Sequence, residues 1–202
     1  MSADLERITA FALELDGLKR VERRTRPRIL DRPENSAEHS WHVCLLAMAL
    51  LPEAEPPVDA ARVVELLLVH DVPEIDAGDQ LVYRRAPAER RTAERRGAER
   101  VFGLLPPDRA ARFLARWEEF EARETPEARY AYAMDRLMPL LHNLDAAGRG
   151  WREHGVVLEQ VLALNAPIGE ACPRVWERVR RRIEEAAAAG AFDSDGRGPA
   201  AP

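Results

Sequence analysis

The sequence predicts an all-α fold, and three observations lead to this prediction. Apolar residues recur at intervals of three and four along almost the whole chain, which is the spacing of one helix face. Alternating strand-like runs and clusters of β-branched residues are nearly absent. Helix-start signals precede the apolar stripes, such as Ser2 near the N-terminus and Thr125 followed by Pro126.

The expected helices follow from these patterns in chain order. A basic, proline-broken loop should separate the first helix from the second, and the third helix is apolar on nearly every side, as is typical of the centre of a bundle. Pro73 should end the third helix. The expected helical segments are residues 2–17, 36–52, 58–71, 88–105, 107–123, 125–144, 156–165 and 173–189.

Length and composition indicate a single domain. The 202 residues suit one large bundle over residues 1–190, followed by a disordered C-terminal tail over residues 191–202. A hydrophobic fraction of 46% with 32% charged residues is ordinary for a soluble globular protein.

Charge and cysteine content exclude several classes of partner. The formal net charge of -5 disfavours binding to nucleic-acid polymers. The longest apolar run, "VCLLAMALL", is too short to span a bilayer, so we expect no membrane partner. Cys44 and Cys172 do not have the paired spacing of a metal site and fit a reducing compartment, which favours a cytoplasmic location.

Histidines and carboxylates stand out in three predicted helices. His39 and His42 are three residues apart and share a helix face. His70 and Asp71 come at the C-terminal end of the most apolar helix, where unpaired carbonyls favour a cation. Asp135 lies among apolar neighbours and needs a partner. Ordinary hydrogen-bonded histidines, and an aspartate paired with an arginine, remain alternatives at this point.

Two imidazoles and two carboxylates form a nitrogen-and-oxygen ligand set. Such a set suits manganese, cobalt, iron, nickel or zinc, whereas a structural zinc site would more usually use cysteine. We therefore expect one catalytic divalent metal ion, with magnesium also among the candidates.

Three motifs resemble those of the HD-domain metal-dependent phosphohydrolases, and in finer pattern the branch that includes 5'-deoxynucleotidases. They are "RPENSAEHSWHV" at 32–43, "LVHDVPEIDAGD" at 68–79 and "AMDRLMPLLHNL" at 133–144. The resemblance extends from about residue 18 to residue 143 and implies an HD-domain helical bundle.

The resemblance also implies roles for individual residues. It makes His39, His70, Asp71 and Asp135 the metal ligands and leaves His42 as a neighbour. Glu74 matches the general acid/base of the family, and its position one turn after His70 would let it exchange protons with a water beside the metal. The alternative for Glu74 is a solvated residue after a helix end.

Substrate contacts are implied in the same way. Asp79, which we count with both the catalytic and the substrate-binding residues, matches the residue that holds a sugar hydroxyl. Arg24 matches a phosphate-binding arginine, with Arg28 nearby, although "RRTRPR" also reads as a solvated basic loop. The nucleotidases have a tryptophan after that arginine where this chain has Thr25, which leaves the ribose or deoxyribose preference open.

The predicted function is hydrolysis of a small-molecule phosphate ester, namely the 5'-phosphate of (deoxy)nucleoside monophosphates, by metal-activated water. The alternatives are another phosphoester, such as a cyclic nucleotide, a nucleoside triphosphate or a guanosine polyphosphate, and a non-catalytic metal- or ligand-binding bundle. The charged helices at 89–102 and 173–184 offer surfaces for a homodimer, although such charge runs are more often solvated faces.

Overall fold

The computed structural model describes residues 2–27, 29–79 and 87–192. Within these ranges the backbone forms helices, turns and one isolated antiparallel bridge between Glu22 and Asn35, without a β-strand. The predicted all-α fold is confirmed. The tail predicted over residues 191–202 lies outside the described residues except at its first two positions.

Eleven α-helices and two short 3-10 helices cover most of the described chain. The α-helices are α1 (Ala3–Glu14), α2 (Ser36–Ala49), α3 (Ala60–Val69), α4 (Glu74–Ala77), α5 (Pro87–Phe102), α6 (Pro107–Ala122), α7 (Pro126–Asp145), α8 (Arg149–Glu153), α9 (Leu158–Asn165), α10 (Pro167–Ala171) and α11 (Pro173–Ala188). The 3-10 helices are Leu15–Arg20 and Leu51–Glu53.

Capping residues and prolines define where several helices begin. The Ser2 hydroxyl accepts the Leu5 backbone N–H, and the Thr125 hydroxyl accepts the Ala128 N–H, as expected for N-caps. Helices α6, α7, α10 and α11 begin with proline, whose fixed φ suits a position that needs no hydrogen-bond donor. The first helix ends at Glu14 rather than at residue 17, because the chain tightens there into a 3-10 helix.

Helix α7 lies at the centre of the bundle. It packs against α2, α3, α6 and α10, and Leu66, Tyr130 and Met134 are completely or almost completely buried at these contacts. The three helices that carry the predicted metal ligands therefore share one core. None of the described helices combines the length and the hydropathy that a membrane span requires.

An irregular segment between the first 3-10 helix and α2 folds back on itself. The Arg23 N–H donates to the Glu34 carbonyl over 2.8 Å, and the Ser36 N–H donates to the Val21 carbonyl over 3.0 Å. This backbone pairing places the side chains of Arg23, Glu34 and Ser36 beside one another at the start of α2.

Helix α5 closely approaches the turn that precedes α4. A Cβ atom at Gly97 would lie only 2.7 Å from the Pro73 carbonyl oxygen. Glycine therefore allows the two backbones to touch at the turn that carries His70 and Asp71.

Candidate metal centre and adjoining cavity

The first candidate ligand comes from the first turns of α2. Asn35 caps this helix by accepting the Glu38 N–H over 3.0 Å, and the Glu38 carboxylate accepts the Asn35 N–H over 3.1 Å, which together form a capping box. The cap fixes the turn from which His39 projects. His39 is fully buried, and its Nε2 lies 3.0 Å from Asp135 Oδ1.

The second and third candidate ligands follow the end of α3. The helix ends at Val69, and His70 Nδ1 donates a hydrogen bond of 2.7 Å to the Leu67 carbonyl. Nε2 then faces the carboxylates and lies 3.1 Å from Asp71 Oδ1 and 3.6 Å from Asp135 Oδ1. It has no hydrogen-bond partner among the described residues. A ring held by one nitrogen with the other facing carboxylates is the arrangement of a metal-ligating histidine.

The structure thus brings the four predicted ligands into one buried cluster. Ligand atoms of His39, His70 and Asp71 lie within 4.8 Å of one another, and Asp135 Oδ1 is close to both imidazoles. Asp135 also accepts hydrogen bonds from the Arg136 guanidinium, so the arginine pairing considered as an alternative exists beside the ligand contact. Arg136 and the two histidines hold the pKa of Asp135 well below its usual range, although burial opposes this.

Charge in the cluster favours a divalent cation. Four buried carboxylates, those of Glu34, Asp71, Glu74 and Asp135, face two guanidinium groups, those of Arg23 and Arg136. The carboxylates thus outnumber the guanidinium groups. Burial alone would lower the pKa of His70, but Asp71 and Asp135 outweigh it and raise the pKa to about 9, so the carboxylates hold a proton where a metal ion would otherwise bind. The donor set and its attraction for a positive charge therefore fit a bound metal ion.

Glu74 lies in the same buried region, at the start of α4. Its Oε2 accepts a hydrogen bond of 2.6 Å from the Ser36 hydroxyl and lies 3.9 Å from Arg23 Nη1. Burial and then the Asp71 carboxylate raise the pKa of Glu74 to about 8. A buried carboxyl with this pKa exchanges a proton near neutral pH, which is what a general acid/base requires.

Arg23 is the arginine that the sequence analysis missed. Its guanidinium is buried and donates to Asp71 Oδ2 over 2.7 Å, with Nη2 at 3.9 Å from Asp135 Oδ1. The sequence contains one indication of its position. Val21 is an apolar residue in an extended segment, so the side chain of Arg23, two positions later, should face the same way. Ser36 and Glu34 were also missed, because the backbone pairing that aligns them has no pattern in the sequence.

The predicted substrate residues have different positions. Arg24 is exposed, and its backbone N–H donates to Asp79 Oδ2 over 2.9 Å, so this bond ties Asp79 to the Arg23 segment. Gly78, with φ of 69°, makes the turn that precedes Asp79. Arg28 lies outside the described residues.

A cavity adjoins the cluster. Arg23, Thr25, Asp79 and Arg136 line it together with polar and aromatic residues of the C-terminal half, Asn143, Trp151, His154 and Asn165. Because Arg23 and Arg136 hold Asp71 and Asp135, the cavity meets the ligand cluster at these two guanidinium groups.

Comparison with known proteins assigns this chain to a family. Residues 15–176 match the HD domain family, so the chain belongs to that family. A crystal structure of a predicted metal-dependent phosphohydrolase from Magnetospirillum magnetotacticum MS-1 superposes with a TM-score of 0.90 and 42% identity, over 94% of this chain and 96% of that one. A Pyrococcus horikoshii OT3 protein, 19% identical over 86% of this chain and 99% of that one with a TM-score of 0.61, shares the fold.

Curated relatives match over a shorter stretch. The 5'-deoxynucleotidase HDDC2 of Homo sapiens is 29% identical over 115 residues, covering 56% of this chain and 55% of that protein. The protein of the same name from Xenopus laevis is 30% identical over 119 residues, 58% of each chain. The chain thus matches little more than half the length of these relatives. The predicted membership of the HD-domain family is confirmed.

Proposed function

We propose that this protein removes the 5'-phosphate of nucleoside or deoxynucleoside monophosphates with the help of one divalent metal ion. The observation that carries the proposal is the buried cluster of His39, His70, Asp71 and Asp135, which has Glu74 and Arg23 beside it and a cavity at its edge. The relatives named 5'-deoxynucleotidase support the choice of substrate.

His39, His70, Asp71 and Asp135 would hold the metal. When bound, a divalent ion there supplies a Lewis acid that polarises a phosphoryl oxygen and lowers the pKa of water. The chain's own contribution begins with the orientation of these side chains, since the Leu67 carbonyl fixes the His70 ring and Arg136 fixes the Asp135 carboxylate.

Glu74 is the proposed general acid/base. It would accept a proton from the attacking water and later return one to the leaving 5'-oxygen of the sugar. The Ser36 hydroxyl fixes the carboxylate orientation through Oε2, and burial keeps its pKa near neutral pH, so both directions of transfer are open to it.

Arg23 is the proposed phosphate contact inside the site. Its guanidinium has several donors, and the bond to Asp71 uses Nη1, so the group can turn other N–H bonds towards a phosphate in the cavity that it lines. The charge that develops on the phosphoryl oxygens would then meet a positive group already fixed in place. Arg24, which also lines this cavity, and Arg28 stay as predicted phosphate contacts.

Asp79 is the proposed sugar contact. It lines the cavity together with Thr25, and Thr25 stands where the nucleotidases have tryptophan. A threonine leaves more space beside the sugar than tryptophan would, so residue 25 would not itself select the sugar. The preference for ribose or deoxyribose would then follow from the contact of Asp79 with the 2'- and 3'-positions.

The experiment that tests the proposal measures phosphate release from each ribo- and deoxyribonucleoside 5'-monophosphate. Metal-stripped protein receives manganese, cobalt, magnesium or zinc in separate reactions. We expect metal-dependent release, reduced about 100- to 10,000-fold in Glu74→Gln while bound metal, counted by elemental analysis, stays the same. Asp71→Ala should lose metal and turnover together. Equal activity in wild type and Glu74→Gln would contradict the assignment, and so would turnover in metal-free protein.

Location and assembly remain parts of the proposal. We propose a cytoplasmic protein, consistent with two buried free cysteines. A homodimer through the charged helices is a prediction that sedimentation velocity checks at two protein concentrations.

A further inference from the structure

A second group of potential metal ligands lies next to the first. Ligand atoms of Glu34, His42 and His142 lie within 4.8 Å of one another. Glu34 precedes α2, His42 lies one turn after His39 on α2, and His142 lies on α7 about two turns after Asp135. The helices that position the first group therefore also position this one.

Two buried atoms in this group have no hydrogen-bond partner in the described part of the chain. They are Oε1 of Glu34, a residue only 2% exposed, and Nδ1 of His142. The two atoms lie 4.0 Å apart. A buried carboxylate oxygen and a buried imidazole nitrogen without partners cost free energy, unless a ligand between them satisfies both.

The two imidazoles of this group lie beside each other. The ring of His42 is tilted by 43° to that of His142, with 5.6 Å between their centres. Two imidazoles and one carboxylate form a ligand set that zinc uses in proteins, with a fourth position left for water.

We propose that Glu34, His42 and His142 form a second, auxiliary site for a divalent cation of the zinc type, separate from the four ligands of the proposed catalytic metal. Glu34 connects the two sites, because its Oε1 is also 3.4 Å from His39 Nδ1. A cation at the second site would draw this carboxylate towards His142 and away from the ring of His39.

Arg23 determines which site is stronger. Its Nε lies 3.8 Å from Glu34 Oε1, and a fixed positive charge at that distance opposes a second cation. The proposed catalytic site offers two carboxylates where the auxiliary site offers one. We therefore expect the auxiliary site to bind more weakly and to fill only after the first.

The experiment counts bound zinc, so it does not depend on turnover. Metal-stripped protein is dialysed against a series of free zinc concentrations, and the protein-bound zinc is measured by elemental analysis. Wild type should bind about two ions per chain in two separate steps, and His142→Ala should keep only the tighter step. His154→Ala is the matched control, because His154 lies outside both groups and should keep both steps.

Glu34→Gln and Asp71→Ala complete the test. Glu34→Gln should also lose the weaker step. This variant tests the same site if circular dichroism shows that His142→Ala is poorly folded. Asp71→Ala should lose the tighter step. The two proposals are therefore tested separately: Asp71→Ala tests the catalytic metal site, and Glu34→Gln and His142→Ala test the auxiliary site. A single zinc step in wild type, or a second step that persists in both His142→Ala and Glu34→Gln, would overturn the proposal and leave only water between the unpartnered atoms.

Discussion

Arg23 and Arg24 are adjacent in sequence, and the structure predicts that they differ sharply in importance. Arg23 is buried and bonded to Asp71, whereas Arg24 is exposed and contacts Asp79 only through its backbone N–H among the bonds described. The same substitution, arginine to lysine, at each position is therefore a matched pair. It keeps the charge and the backbone and removes only the guanidinium.

The magnitude follows from the contacts. Arg23 Nη1 lies 2.7 Å from Asp71 Oδ2, and Nη2 lies 3.9 Å from Asp135 Oδ1. An ammonium group has a single nitrogen and cannot stand in both places, so Arg23→Lys keeps at most one of these two contacts and cannot offer a second donor to the proposed phosphate. A hydrogen bond from a charged donor contributes about 1.5–3 kcal/mol, and its loss at the phosphate in the transition state corresponds to roughly a 10- to 150-fold fall in kcat/KM. Arg24→Lys keeps the backbone bond to Asp79 and should change kcat/KM by less than about three-fold.

The assay is phosphate release from the best substrate of the monophosphate series, with bound metal and the melting temperature measured for both variants. Lysine is preferred to alanine at residue 23, because removing the charge would leave Asp71 uncompensated at a cost of about 3–5 kcal/mol. A large loss in Arg24→Lys with little loss in Arg23→Lys would refute this reasoning. The exposed arginine would then be the main phosphate contact, as the sequence resemblance implies.

Two further predictions concern stability. Gly97→Ala should lower the free energy of unfolding, measured by chemical denaturation, by about 1–3 kcal/mol, because the new Cβ would collide with the Pro73 carbonyl. Alanine normally favours a helix interior, so the collision must outweigh that gain. An unchanged or higher stability would show that α5 can shift freely. The hydrogen bond from Arg32 is the main cause that lowers the pKa of Glu38 to about 2, against its usual 4.5. Ionised Glu38 therefore stabilises the fold above pH 4.5, and this contribution is lost as the pH falls towards 2. Glu38→Gln should cost about 0.5–1 kcal/mol at pH 7 and nothing near pH 2, and an equal cost at both values would contradict the linkage.

The helices and the four proposed ligands could be predicted from the sequence for a physical reason. Helices leave a periodic pattern, and residues such as His70 and Asp135 are conspicuous because charged groups are costly among apolar neighbours. Each lies on a helix or directly follows one, so its position in the sequence indicates its place relative to a helix face. Short helices such as α8 and α10 escaped prediction, since one turn or two is too short for a period to show.

The polar residues around the ligands could not be predicted so well. Arg23 is one of several arginines in its segment. Its spacing from Val21 indicates which way it faces, but the pairing of its backbone with that of Glu34 is what places it in the site. Glu34 and His142 are far apart in sequence, and their shared lack of partners is a property of the packed molecule. Long-range contacts of this kind leave no trace in local spacing.

This division between regular and irregular elements also separates two aspects of the proposed function. The candidate metal ligands come from α2, the end of α3 and α7, which are packed on one core, so their spacing resists change. The groups that would meet the sugar, Thr25 and Asp79, come from segments outside the long helices, which are joined by the bond from the Arg24 backbone N–H to the Asp79 carboxylate. Substitutions there can alter substrate choice without moving the metal. Replacing Thr25 by tryptophan should therefore change the ratio of ribo- to deoxyribonucleotide turnover while metal content stays constant, and a loss of metal in that variant would show that the two parts are not separable.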